Sequence, residues 1–294
     1  MTLDVQCSEA QCTVRELTYV YKHWRSAQAV NHATVLALHG WLDNANSFDV
    51  LAPLLVSQCD VDVIALDMAG HGKSQHRHIQ GAYNIWDDLL ELNALIDALG
   101  LDQPILLGHS RGAMVATLLA ASLPEITCQL IVLDGMLAMP VPSEEAPKQL
   151  AKHLRQHSRS THVMPHYATV DEAISARCKA AGMEPQQARG IVERGLIEVS
   201  DGRFEWRSDA RVTRASAMKL NEVQNAAFYQ TLSVPTLVLL AQEGFGPWMA
   251  SALAETPGNQ CVQMESLAGG HHFHLDPVHA GVIVNRIHAF LKMR

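Results

Sequence analysis

Short apolar runs, interspersed with stretches of helical spacing, recur along this chain. Residues 34–38, 61–66, 104–107, 130–133 and 235–241 are such runs, and 260–267 is a weaker one. Uninterrupted apolar runs of this length read as strands buried on both faces. Between them, residues 85–99 carry Ile85, Leu89, Leu92, Leu95, Ile96 and Leu99 on one helical face. Residues 113–121 are rich in Ala and Leu. Residues 277–293 repeat Val278, Val282, Ile283, Ile287, Phe290 and Leu291 with helical period. Near the start, residues 14–25 alternate through Leu17, Tyr19 and Tyr21, which predicts antiparallel strands at a sheet edge. Strands alternating with helices predict an α/β fold, a mostly parallel sheet covered on both faces.

The alternation stops between residues 136 and 219. That stretch has no convincing buried strand, and its helix-like segments break at Pro165, Gly182, Pro185 and Gly202. The pattern therefore predicts a core of residues 1–135 and 220–294 with a helical cap at 136–219. Charge divides in the same place. Residues 148–219 hold 13 Lys/Arg against 8 Asp/Glu, while the whole chain carries a net charge of −8. A basic insertion on an acidic core reads first as a set of solvated faces, and second as a lure for an acidic substrate.

At 294 residues and 48% hydrophobic, the chain has ample material for one large domain with an insertion. Its acidic balance argues against nucleic acid as a partner. No apolar stretch is long enough to span a membrane. Residues 1–7 lack the basic and apolar regions of a signal peptide. Cys7, Cys12, Cys59, Cys128, Cys178 and Cys261 form no C-x-x-C pair and read as mostly buried thiols. The expected location is therefore cytoplasmic.

The chemistry gathers where the runs end. Gly108-His109-Ser110-Arg111-Gly112 lies between a strand and a helix. There a G-x-S-x-G turn forms a nucleophile elbow that lifts the Ser110 hydroxyl above the sheet, at a helix N-terminus. A serine hydroxyl needs a base, and the base an orienting acid. After the last strand, Gly269-Gly270-His271-His272-Phe273-His274 supplies candidates, with His271 favoured over His272 and His274. For the acid, Asp134 at the end of 130–133 is favoured over Glu243, the one carboxylate in the turn after 235–241. Backbone N–H groups of Arg111 and Trp41 are the expected oxyanion donors. No metal or cofactor is expected, since the histidine cluster lacks carboxylates or thiols at ligand spacing. The pairs His153/His157 and His162/His166 read as accidents of a chain with 16 histidines. Gly72-Lys73-Ser74 resembles the end of a P-loop, but Asp67 stands where that motif needs glycine.

Together, His39-Gly40-Trp41, the run from Asp67 to Ser74, the elbow and Gly270-His271 resemble the α/β-hydrolase superfamily over essentially the whole chain. The segment from His39 to Asp49 is similar to that of the serine hydrolase-like proteins of animals and their bacterial relatives. The resemblance implies an eight-stranded sheet with a cap after the sixth strand. It also implies Ser110 as nucleophile, His271 as base, and Trp41 and Arg111 as oxyanion donors. Gly244 stands where the superfamily commonly has its acid. The expected activity is serine hydrolysis of small or medium carboxylic esters. The rivals are a thioesterase or carbon–carbon bond hydrolase on the same residues, and a ligand-binding relative without catalysis.

Overall fold

The computed structural model describes residues 4–27, 33–158, 164–254 and 256–292. Met1 to Leu3, His162 and Met293, which entered the readings above, lie outside the described residues.

The chain opens with a hairpin, β1 (Val5–Val14) and β2 (Leu17–Ser26). It then lays down β3 (Ala33–Leu38), α1 (Leu51–Cys59), β4 (Val61–Leu66), α2 (Asp87–Ala98), β5 (Ile105–His109), α3 (Arg111–Ser122) and β6 (Gln129–Leu133). The stretch that interrupts the pattern carries α4 (Ala146–His157), β7 (His166–Tyr167), α5 (Val170–Ala181), α6 (Pro185–Gly195), β8 (Leu196–Glu198) and β9 (Phe204–Trp206). The alternation resumes with α7 (Glu222–Thr231), β10 (Thr236–Glu243), α8 (Gly246–Ala254), β11 (Val262–Gly270) and α9 (Pro277–Leu291).

Eight strands form one sheet in the order β1-β2-β4-β3-β5-β6-β10-β11. Its pairs are parallel from β4 to β11, and the β1–β2 and β2–β4 pairs are antiparallel. This is the α/β-hydrolase fold. The apolar runs are explained by the sheet having two dry faces. Leu36, Leu106, Val132 and Val238 point to one face, under α2, α3, α7 and α8. Val35, Leu107, Ile131 and Leu239 point to the other, under α1 and α9. Alternate residues of a strand face opposite sides, so a strand covered on both sides needs every position apolar.

Three expectations are corrected. The edge hairpin begins at Val5, because β1 is mostly exposed and carries no apolar alternation. Residues 136–219 also contain a small antiparallel sheet, β7-β9-β8, whose strands of two or three residues are too short to leave a period. The cysteines are free thiols, and none is fully buried: Cys7 is exposed and the other five are partly buried. Cys7 and Cys12 lie on the exposed edge strand. Among the described residues, no helix is long and apolar enough to cross a membrane.

Candidate active site

Ser110 sits between β5 and α3 with φ 51° and ψ −116°, a backbone conformation that a side chain adopts only under strain. Three glycines make room for it. A β carbon on Gly108 would overlap the backbone of Ala113, and one on Gly112 would overlap the Leu38 carbonyl. One on Gly135 would lie 2.8 Å from the Ser110 Cα. Close approach of three strand ends, rather than the turn alone, therefore requires these glycines.

Asp134 follows β6, also at positive φ (43°) and with no solvent exposure. Its Oδ1 accepts the Ala241 N–H and its Oδ2 the Phe245 N–H, each at 2.9 Å. Oδ2 also lies 2.6 Å from His271 Nδ1, and His271 Nε2 lies 2.9 Å from Ser110 Oγ. A carboxylate only accepts, so Nδ1 carries the proton and Nε2 is free to accept from the serine hydroxyl. Burial alone would raise the Asp134 pKa. The hydrogen bonds from His271, Phe245 and Ala241 outweigh it and hold the carboxyl below its usual range. Glu243, the other candidate acid, is exposed at the end of β10. A β carbon on Gly244 would overlap Asp134 Oδ2, so the carboxylate from β6 fills the space at that position.

Arg111 is the first residue of α3, where a backbone N–H has no partner inside the helix. Its guanidinium is engaged elsewhere, 2.7 Å from Asp88. Trp41 is half-exposed, and its indole N–H donates to the Val212 carbonyl at 2.9 Å. The contact of Gly112 with Leu38 and His39 brings the loop that carries Trp41 against the elbow.

His272 and His274 lie behind His271 rather than beside Ser110. His274 Nε2 is 3.0 Å from Ser47 Oγ, and His272 Nε2 is 3.5 Å from Asp43 Oδ2. His109 belongs to the same group. Its Nε2 lies 2.9 Å from the His271 carbonyl, holding the backbone that carries the imidazole, and its Nδ1 lies 3.7 Å from Asp43. Burial pushes the His109 pKa down to about 4, against an opposing pull from Asp43. Asp43 in turn accepts from Arg177 of α5 at 2.5 Å. Sequence reading assigned no role to Asp43, His109 or Arg177. His109, His271 and His272 each bring a nitrogen within 4.8 Å of the others. Both His271 nitrogens already serve Asp134 and Ser110, so that trio is a poor metal set as it stands.

Other sequence features resolve into structure. His153 and His157 stack at 4.0 Å on α4 and lie within hydrogen-bond reach of backbone carbonyls. Gly72-Lys73-Ser74 folds around Asp67, which accepts the Lys73 N–H at 2.8 Å. Two arginines of the basic stretch pair with carboxylates of residues 1–135. Arg177 pairs with Asp43, and Arg194 with Asp67 at 2.8 Å and Glu9 at 2.6 Å. Asn44 and Asn46 add hydrogen bonds to the Ile191 and Gly190 carbonyls.

Residues 33–171 match the model of the alpha/beta hydrolase fold family. The chain belongs to the α/β-hydrolase superfamily. This hydrolase is 27% identical over 259 residues to a serine hydrolase-like protein of Dictyostelium discoideum, covering 82% of this chain and 70% of that one. It is 28% identical over 279 residues to human serine hydrolase-like protein 2, covering 83% and 85% of the two chains. A hypothetical protein from Pseudomonas aeruginosa PAO1 superimposes with a TM-score of 0.88 at 33% identity, over 97% of this chain and 99% of that one.

Proposed function

We propose that this hydrolase cleaves small or medium carboxylic esters through an acyl-enzyme. The observation that carries the reading is the unbroken chain from Asp134 through His271 to Ser110, at 2.6 and 2.9 Å. Both distances lie within the reach that proton transfer requires. His271 Nε2 takes the Ser110 proton as Oγ attacks the ester carbonyl. Asp134 holds the ring in the tautomer that leaves Nε2 free and stabilises the imidazolium. The N–H groups of Arg111 and Trp41 receive the developing oxyanion, at the positive end of α3. The imidazolium gives its proton to the departing alcohol. Water then enters, loses a proton to His271, and releases the acid with Ser110 restored. Residues 136–219 act as a cap that selects the substrate. Free thiols support a reducing, cytoplasmic setting.

The test is intact mass after treatment with a fluorophosphonate, on wild type and Ser110→Ala. One stoichiometric adduct on wild type and none on the variant is the expected result. Folded wild-type protein that takes no adduct would overturn the hydrolase reading in favour of a binding protein.

A further inference from the structure

A cavity of about 250 Å³ begins one residue from the nucleophile, bounded by Arg111 and Met114 of α3. The Met114 N–H is bonded to the Ser110 carbonyl at 3.2 Å, so this wall is tied directly to the elbow. Ile85, Trp86, Met139, Met218 and Leu220 supply the rest of the apolar lining, with Lys219 at the edge. Arg111 adds little charge here, because its guanidinium is paired with Asp88. Three thioethers give the wall an adaptable surface suited to a flexible hydrocarbon. A separate gap of about 10 Å³ shares Ile85, Met114, Ala138 and Leu220 with the cavity and is lined also by Phe228 of α7. Such a gap has room for a single water at most. Beyond it, across the shared residues Leu137 and Asn225, lies a second cavity of about 380 Å³ beside Trp248.

We infer that the first cavity takes the unbranched acyl chain of the ester, and that Phe228 sets its length limit. The inference rests on the esterase reading for its chemistry, but the cavity can be tested without it. A water fills roughly 30 Å³ and a methylene is of much the same size, so 250 Å³ holds a chain of about eight carbons. Apolar side chains dominate this wall; of its two cations, Arg111 is paired with Asp88 and Lys219 is the other.

The experiment has two arms. The first measures binding of straight-chain carboxylates from acetate to dodecanoate to Ser110→Ala by calorimetry. Affinity should rise about fourfold per methylene and level off near eight carbons. Phe228→Ala, added to Ser110→Ala, should move the plateau two to four carbons further. The second arm compares kcat/KM for p-nitrophenyl acetate and octanoate on otherwise wild-type protein. Met218→Trp, at the half-exposed rim, should lower the octanoate-to-acetate ratio at least tenfold, and it does not depend on a core substitution folding. Binding that ignores chain length, a plateau unmoved by Phe228→Ala, or a ratio unmoved by Met218→Trp overturns the inference. Chain-dependent binding with no turnover and no fluorophosphonate adduct on wild type would keep the cavity's role and remove the esterase reading.

Discussion

A β carbon added to Gly244 would overlap Oδ2 of Asp134, so one volume beside His271 is filled either from β6 or from the turn after β10. Gly244→Ala should therefore destabilise the protein by about 1–3 kcal/mol, the usual cost of overpacking. The cost should largely vanish in an Asp134→Gly background. A double-mutant cycle by urea denaturation measures this coupling. Additive effects would mean that the two positions do not compete.

Asp134→Asn keeps the shape of the carboxylate but offers a donor where only acceptors fit. It should lower ester kcat by about 10⁴-fold with the fold intact, as expected when the imidazole tautomer is lost. Glu243→Gln, at an exposed position, should stay within about twofold of wild type. Steady-state rates of both variants decide between the two acids.

Ser110 is held at φ 51°. Glycine adopts that region freely and alanine does not. Ser110→Gly should thus be more stable than Ser110→Ala by about 1 kcal/mol. Equal unfolding midpoints for the two variants would show that the elbow stores no strain.

Arg177 and Asp43 are both buried, with side chains 9% and 1% exposed. Truncating Arg177 to alanine leaves the carboxylate without its cation and should cost about 3–5 kcal/mol. Replacing both, as Arg177→Met with Asp43→Asn, should cost much less. Chemical denaturation of the single and double variants checks the difference.

Acid should unfold the protein early. Burial pushes His109 down to about 4, and burial also lowers the pKa values of His39, His71 and His274. An unfolded histidine takes its proton near 6.5, so the unfolded state gains protons first as pH falls. The stability these neutral rings confer is complete above about 6.5 and is lost as pH drops towards 4. The thermal midpoint should fall across that window, and a midpoint flat from pH 6.5 to 5 would contradict the assignment.

What could be read along the chain depended on short-range order. The runs at 34–38, 61–66 and 130–133 had to be almost wholly apolar because the sheet is covered on both faces, and the polar Thr34 and Asp62 stand at strand starts. Gly108 and Gly112 marked the elbow because the Ala113 backbone at one and the Leu38 carbonyl at the other leave no room for a β carbon. Gly269-Gly270 placed His271 on a loop after the last strand. The exposed strand β1 and the two- and three-residue strands within residues 136–219 left no such mark, since neither buries a periodic face.

The sequence by itself therefore determined the layered sheet, the elbow serine and the loop histidine, each written in consecutive residues. Tertiary structure decided which carboxylate meets that histidine. The sheet order sets β6 beside β10, and this adjacency brings the Ala241 and Phe245 amides onto Asp134 from more than 100 positions away. It also decided what stands behind His271. Arg177, Asp43 and His109 are scattered along the chain and meet only in the folded protein, because a buried charge must find its partner wherever packing delivers one.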